Sequence, residues 1–347
     1  MIKSATTGTG AALERLFITG VSPVTMDDVT SGFNIGTNIT NDSWFNDLVG
    51  FSENELREML EYYKEQGVLQ ESIDEIVAMM KPNYDNYCFS EDTLEQCMFN
   101  SDMALYFLKS FVLHHKKPKE IVDPNIRTDF NKLAYLIKLD HGLGENFSVI
   151  KEIAEQGEII TDIVTHFSAL EMTDPSNFKS LLFYFGLLSI KGVDMVGRPI
   201  LHVPNLVVRE QLFNFLIQGY IKHDIFKIDM NKMSALFENM AFRGDWKPLF
   251  DFIANAVREQ SRIREYIEGE AHIKGFLLAY LGMYRYYQLY PEYELNKGFA
   301  DFFFKPSLSV PVLPPFTYLL EVKYAKAGAS EKEIRALADE AREQLLR

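Results

Sequence analysis

Residues 295–328 read LNKGFADFFFKPSLSVPVLPPFTYLLEVKYAKAG. Two apolar, strand-like runs lie in this stretch. Asp301 heads the first, and Glu321 and Lys323 interrupt the second. Charges in core-type strands are costly unless they are paired or used. Successive side chains of a strand alternate faces, so Glu321 and Lys323 share one face. If the two runs pair as neighbouring strands, Asp301 and Glu321 converge on a single point. Two carboxylates there, with a backbone carbonyl and waters, form the hard oxygen shell that Mg²⁺ or Mn²⁺ prefers. Lys323 would then lie beside a metal-bound water, to orient it or to stabilise charge in the transition state. The alternative is an ion pair at a strand edge, with Asp301 as a turn residue. Such pairs are common and weak.

The order of elements around this stretch is regular. A helical run, EGEAHIKGFLLAYL (268–281), precedes strands expected near 288–294, 300–305 and 317–325. A last helix is expected over SEKEIRALADEAREQLLR, 330–347. Further upstream the chain is helix-rich. Ser52 and Glu55 form a capping box before a helix that Gly67 ends. A second helix over 71–83 is expected to stop at Pro82, and a third covers 102–115. Residues 180–205 change period, from a helix to two short strands around KGVDMVGRP. Residues 13–22, LERLFITGVS, read as a short buried strand. The fold class expected is a helix-rich α+β protein.

The totals narrow the function. The chain has 347 residues, 47% of them hydrophobic and 24% charged, ordinary values for a globular protein. Cys88 and Cys97 are the only cysteines, too few for a disulfide scaffold and without metal-site spacing. A reducing, cytoplasmic setting is expected. No run approaches the ~18 apolar residues of a spanning helix, so no membrane partner is expected. The net charge is −14. Residues 241–347 hold 15 basic and 15 acidic residues, so all of the excess acid precedes them. The C-terminal third is therefore the part least hostile to a phosphate backbone, while the acidic N-terminal part suits a protein partner.

Asp301 and the EVK of 321–323, placed in this order of elements, resemble the PD-(D/E)XK nuclease superfamily. The resemblance implies a restriction-endonuclease-like core: a mixed sheet flanked by helices. It implies hydrolysis of phosphodiester bonds with Mg²⁺ or Mn²⁺, DNA being the expected substrate. Asp301 and Glu321 would hold the metal, Lys323 would assist the water, and Glu270 would be a supporting acid on the preceding helix. PEYELNKGFADFFFKP (291–306) is similar to one branch in which a Glu- and Gly-containing turn precedes the Asp, which adds Glu294 and Gly298. Phe299 stands where many members have Arg. Gln344, in EAREQL, matches a Gln often found on the following helix.

The N-terminal part, LFITGVSPVTMDDVTSGFNIGTNIT with PNYDNYCFSEDTLEQCMFNSDMALYFL (82–108), resembles a bacterial two-part family with an AAA-like ATPase domain before this nuclease branch. By that resemblance Thr19, or Ser22, would end the sensor strand that reads the γ-phosphate. No G-x-x-x-x-G-K-[ST] loop is present, so ATP is not expected to bind this chain. The expected division is an ATPase-like remnant with a helical lid over 1–120, a mostly helical connector over 121–240, and a C-terminally incomplete nuclease-like domain over 241–347. A non-catalytic interaction protein, docking a partner through its acidic helical part, is the alternative function.

Overall fold

A computed structural model describes residues 17, 19–20, 37–116, 118, 145–165, 167, 171–172, 174–222, 226–259, 270–295, 298–307, 310, 312–325 and 328–346. Helices and antiparallel sheets are mixed, as an α+β chain requires. Residues 1–140 and 158–205 form one compact unit, and residues 141–157 and 206–347 form the other. The stretch expected as one connector, 121–240, is thus shared between the two.

The first unit opens with helices α1 (Glu53–Glu65), α2 (Ile73–Tyr84) and α3 (Ser101–His114). The capping box is present. Ser52 Oγ accepts from the Glu55 N–H, and the Glu55 carboxylate accepts from the Ser52 N–H. Helix α2 does not stop at Pro82 but continues to Tyr84. The ring removes one N–H from the last turn only, and Tyr84 gains complete burial by staying helical. A small sheet follows, with strands β1 (Glu158–Ile160), β2 (Ser189–Val193) and β3 (Pro199–His202) in the order β1-β3-β2. Helix α5 (Pro175–Tyr184) leads into it. The hairpin turn is locked by Asp194, whose carboxylate accepts from the Val196 and Arg198 N–H groups. Phe17, Thr19 and Gly20 are exposed and belong to no regular element. Phe17 is 64% exposed, so the buried strand expected over 13–22 is not found at these positions, and its other residues lie outside those described. Ser22 likewise lies outside the described residues.

The second unit is built around three helices: α4 (Glu145–Gln156), α6 (Leu206–Lys222) and, after α7 (Met230–Arg243) and α8 (Lys247–Glu259), helix α9 (Glu270–Gly282). Their shared core is aromatic. Tyr220 meets Phe147 edge-on at 5.5 Å and Phe276 at 4.8 Å between ring centroids. Tyr280 meets Phe226 at 5.0 Å, and its hydroxyl donates to the Phe226 carbonyl at 2.9 Å. These contacts join segments far apart in sequence, which is why 141–157 and 206–222 belong with α9. Helix α9 delivers the chain to a meander of strands β4 (Tyr287–Leu295), β5 (Gly298–Pro306) and β6 (Tyr318–Leu320), and helix α10 (Glu331–Leu346) returns onto β5. None of the α10 residues is fully buried.

Glu155, near the end of α4, carries a testable consequence. One carboxylate oxygen is buried without a hydrogen-bond partner, and burial raises its pKa above the ordinary 4.5. The protonated form is favoured by folding. Its stabilisation is present below the unfolded-state pKa and is lost as pH rises through the higher folded-state value. Glu155→Gln should therefore be more stable than the parent at pH 7, with the difference closing near pH 4. Thermal melts at both pH values check this; an equal difference at both would contradict it.

Candidate active site

Strand β5 pairs with β6 in antiparallel register, Phe304 opposite Tyr318, Phe303 opposite Leu319 and Phe302 opposite Leu320. One further step places Asp301 opposite Glu321. There the ladder changes character. The Asp301 N–H donates to Glu321 Oε2 at 3.3 Å, and the Val322 N–H donates to Asp301 Oδ2 at 2.6 Å. Carboxylates replace backbone carbonyls as acceptors, so β6 ends at Leu320 rather than running to 325 as expected. Glu321 and Lys323 lie just beyond the strand and still meet, with Lys323 Nζ 3.0 Å from Glu321 Oε1.

Two buried carboxylates side by side repel each other unless cations answer them. The Glu321 side chain is 2% exposed and that of Asp301 6%. Lys323 answers Glu321, and Lys274, reaching over from α9, answers Asp301 at Oδ1. All four carboxylate oxygens are thereby engaged, one by an ammonium and one by a backbone N–H on each residue. Helix α10 supports this arrangement from the other side. Gln344 Oε1 accepts from Lys323 Nζ at 2.9 Å, and Gln344 Nε2 donates to the Phe299 carbonyl on β5 at 3.2 Å. Glu340 stands 3.5 Å from the same ammonium, itself largely exposed. The side-chain amide of Gln344 thus ties Lys323 to β5.

The structure therefore brings Asp301, Glu321, Lys323 and Gln344 together. Glu270 is the first residue of α9, one turn before Lys274; its side chain is outside the described part of the structure. Glu294 is exposed, opposite Phe299 near the turn between β4 and β5, and takes no part in the bonds described above. Thr19 is exposed in the first unit. Lys274 is the residue that sequence reasoning missed. Its signal was a lysine in an otherwise apolar helical run, AHIKGFLLAYL, which normally marks a solvated helix face.

Among the described residues, no group of three or more His, Cys, Asp or Glu side chains could hold a metal ion. No helix among them is long and apolar enough to cross a membrane. The family model of the PD-(D/E)XK nuclease superfamily matches residues 268–347, the segment from α9 through α10. No curated protein and no solved structure matches the chain.

Proposed function

We propose that residues 268–347 form a metal-dependent phosphodiesterase centre acting on nucleic acid, with DNA as the substrate. The observation that carries this reading is the convergence of Asp301, inside β5, with Glu321 and Lys323, just past the end of β6, within the segment that matches a nuclease superfamily. The donor set suits Mg²⁺ or Mn²⁺. It offers two adjacent carboxylates, and one oxygen of each already faces a positive charge. Asp301 and Glu321 would hold the ion, which when bound supplies Lewis acidity and a more acidic water. Lys323, fixed by Gln344 and Glu340, is placed to stabilise charge building on the phosphate oxygens. The carboxylates hold Lys323 in one orientation, so little reorganisation is needed when that charge develops.

Full engagement of the four carboxylate oxygens also fits a second reading, a closed ion-pair cluster in a non-catalytic interaction protein. A plasmid-nicking assay separates the two. With Mg²⁺ or Mn²⁺ the parent should convert supercoiled DNA to nicked circles, chelator should stop it, and Lys323→Met should be slower by about a hundredfold or more. Absence of nicking by the parent with both metals would leave the ion-pair cluster as the reading.

A further inference from the structure

Helix α9 places an ammonium ion against the carboxylate that the nuclease reading gives to the metal. Two negative side chains, Asp301 and Glu321, are balanced by two positive ones, Lys274 and Lys323, with exposures of 2–22%. A divalent cation added to this balanced set would leave an excess of positive charge in a largely dehydrated place, met only in part by the exposed Glu340 beside Lys323, which the Coulomb term opposes. One ammonium must yield its oxygen. Lys323 is held by Glu321, Gln344 and Glu340, from two segments of chain. Lys274 reaches Asp301 from a different element, α9, so its withdrawal from Asp301 leaves the bonds of Lys323 in place, and its flexible stem lets the ammonium move.

We propose that Lys274 is a built-in competitor for the metal: it neutralises Asp301 in the metal-free protein and is displaced when a divalent cation binds. The inference rests on the nuclease reading and adds to it a residue that sets metal affinity. Once displaced from Asp301, the ammonium remains a positive charge near the metal, suited to a phosphate oxygen of the substrate. Metal and phosphodiester then favour each other's binding, a coupling that works in both directions.

The test is calorimetric titration of Mn²⁺, without nucleic acid, into the full chain as parent, Lys274→Met and Lys274→Arg. Lys274→Met should bind Mn²⁺ about tenfold more tightly than the parent, because no ammonium has to be displaced. Lys274→Arg should stay within about twofold of the parent, since it keeps the competing charge. Far-UV circular dichroism of the metal-free proteins checks folding. If Lys274→Met is unfolded, Lys274→Gln replaces it under the same criterion. Unchanged or weaker binding by the folded neutral variant, with the parent binding Mn²⁺, overturns the role of Lys274 alone. Failure of both parent and neutral variant to bind overturns the metal reading and this inference with it. Binding by the neutral variant alone supports both.

Discussion

Replacing Asp301 by Asn is expected to lower metal-dependent cleavage by about a thousandfold or more while the protein stays folded. In the proposed role of Asp301 as a metal carboxylate, its loss removes several kcal/mol of transition-state stabilisation, and ~4 kcal/mol corresponds to that factor. The fold should survive because the amide oxygen still accepts from the Val322 N–H, now served by Asp301 Oδ2 at 2.6 Å. Asp301→Ala is different. Both variants remove the negative charge that faces Lys274, but Ala also leaves the Val322 N–H without this acceptor, in a position where the Asp301 side chain is 6% exposed. That variant should lose a further ~1–3 kcal/mol of stability. Chemical denaturation of the two variants alongside single-turnover cleavage measures both quantities. Parent-like cleavage by Asp301→Asn would remove Asp301 from the metal site. Equal stability of the two variants would show that the Val322 bond contributes little.

A loss of stability away from the site is expected at Gly219, inside helix α6. By helix propensity alone, Gly→Ala in a helix interior gains ~1 kcal/mol. The packing opposes it. A Cβ at position 219 would lie 2.3 Å from Cε2 of Phe147 and 3.1 Å from Cζ. Phe147 is 2% exposed and stacks edge-on against Tyr220, so its ring cannot swing aside without disturbing the aromatic core. Overpacking of this kind costs ~1–3 kcal/mol, and clashes this short belong at the upper end. Gly219→Ala should therefore be destabilising by about 2 kcal/mol, against the propensity trend. Phe147→Leu in the same chain should restore part of it, and a double-mutant cycle reads the coupling. A Gly219→Ala protein as stable as the parent would mean that α4 and α6 are less closely packed than described. Gly282 at the end of α9 uses the same device against Phe213, with a Cβ contact of 2.3 Å.

Much of the side-chain cluster at the candidate site was legible in the sequence because strand geometry is short-range and periodic. Glu321 and Lys323 two residues apart, with Asp301 at the head of a neighbouring apolar run, needed only one antiparallel pairing to meet. Gln344 was readable only through resemblance, since its bonds to Lys323 and to the Phe299 carbonyl span 21 and 45 residues. Lys274 was not legible, because its partner depends on how α9 lies against the sheet and no local pattern encodes that. The grouping of 141–157 with 206–347 was hidden for the same reason. The rings of Phe147, Tyr220 and Phe276 join α4, α6 and α9 across more than a hundred residues, while the chain between visits the other unit. The end of β6 at Leu320 was hidden too, since side-chain carboxylates compete for N–H groups that a strand would otherwise pair.

Helix α10 has no fully buried residue, yet it supplies the amide that orients Lys323. An element with so little apolar anchorage opens locally at low cost, well below the free energy of global unfolding. Detachment of α10 would release Lys323 from Gln344 and Glu340 while β5 and β6 keep the two carboxylates in register. The fraction of molecules competent at any instant would thus follow the docking equilibrium of one surface helix rather than the melting of the core. A ligand that clasped α10 against β5 would raise that fraction without touching the carboxylates.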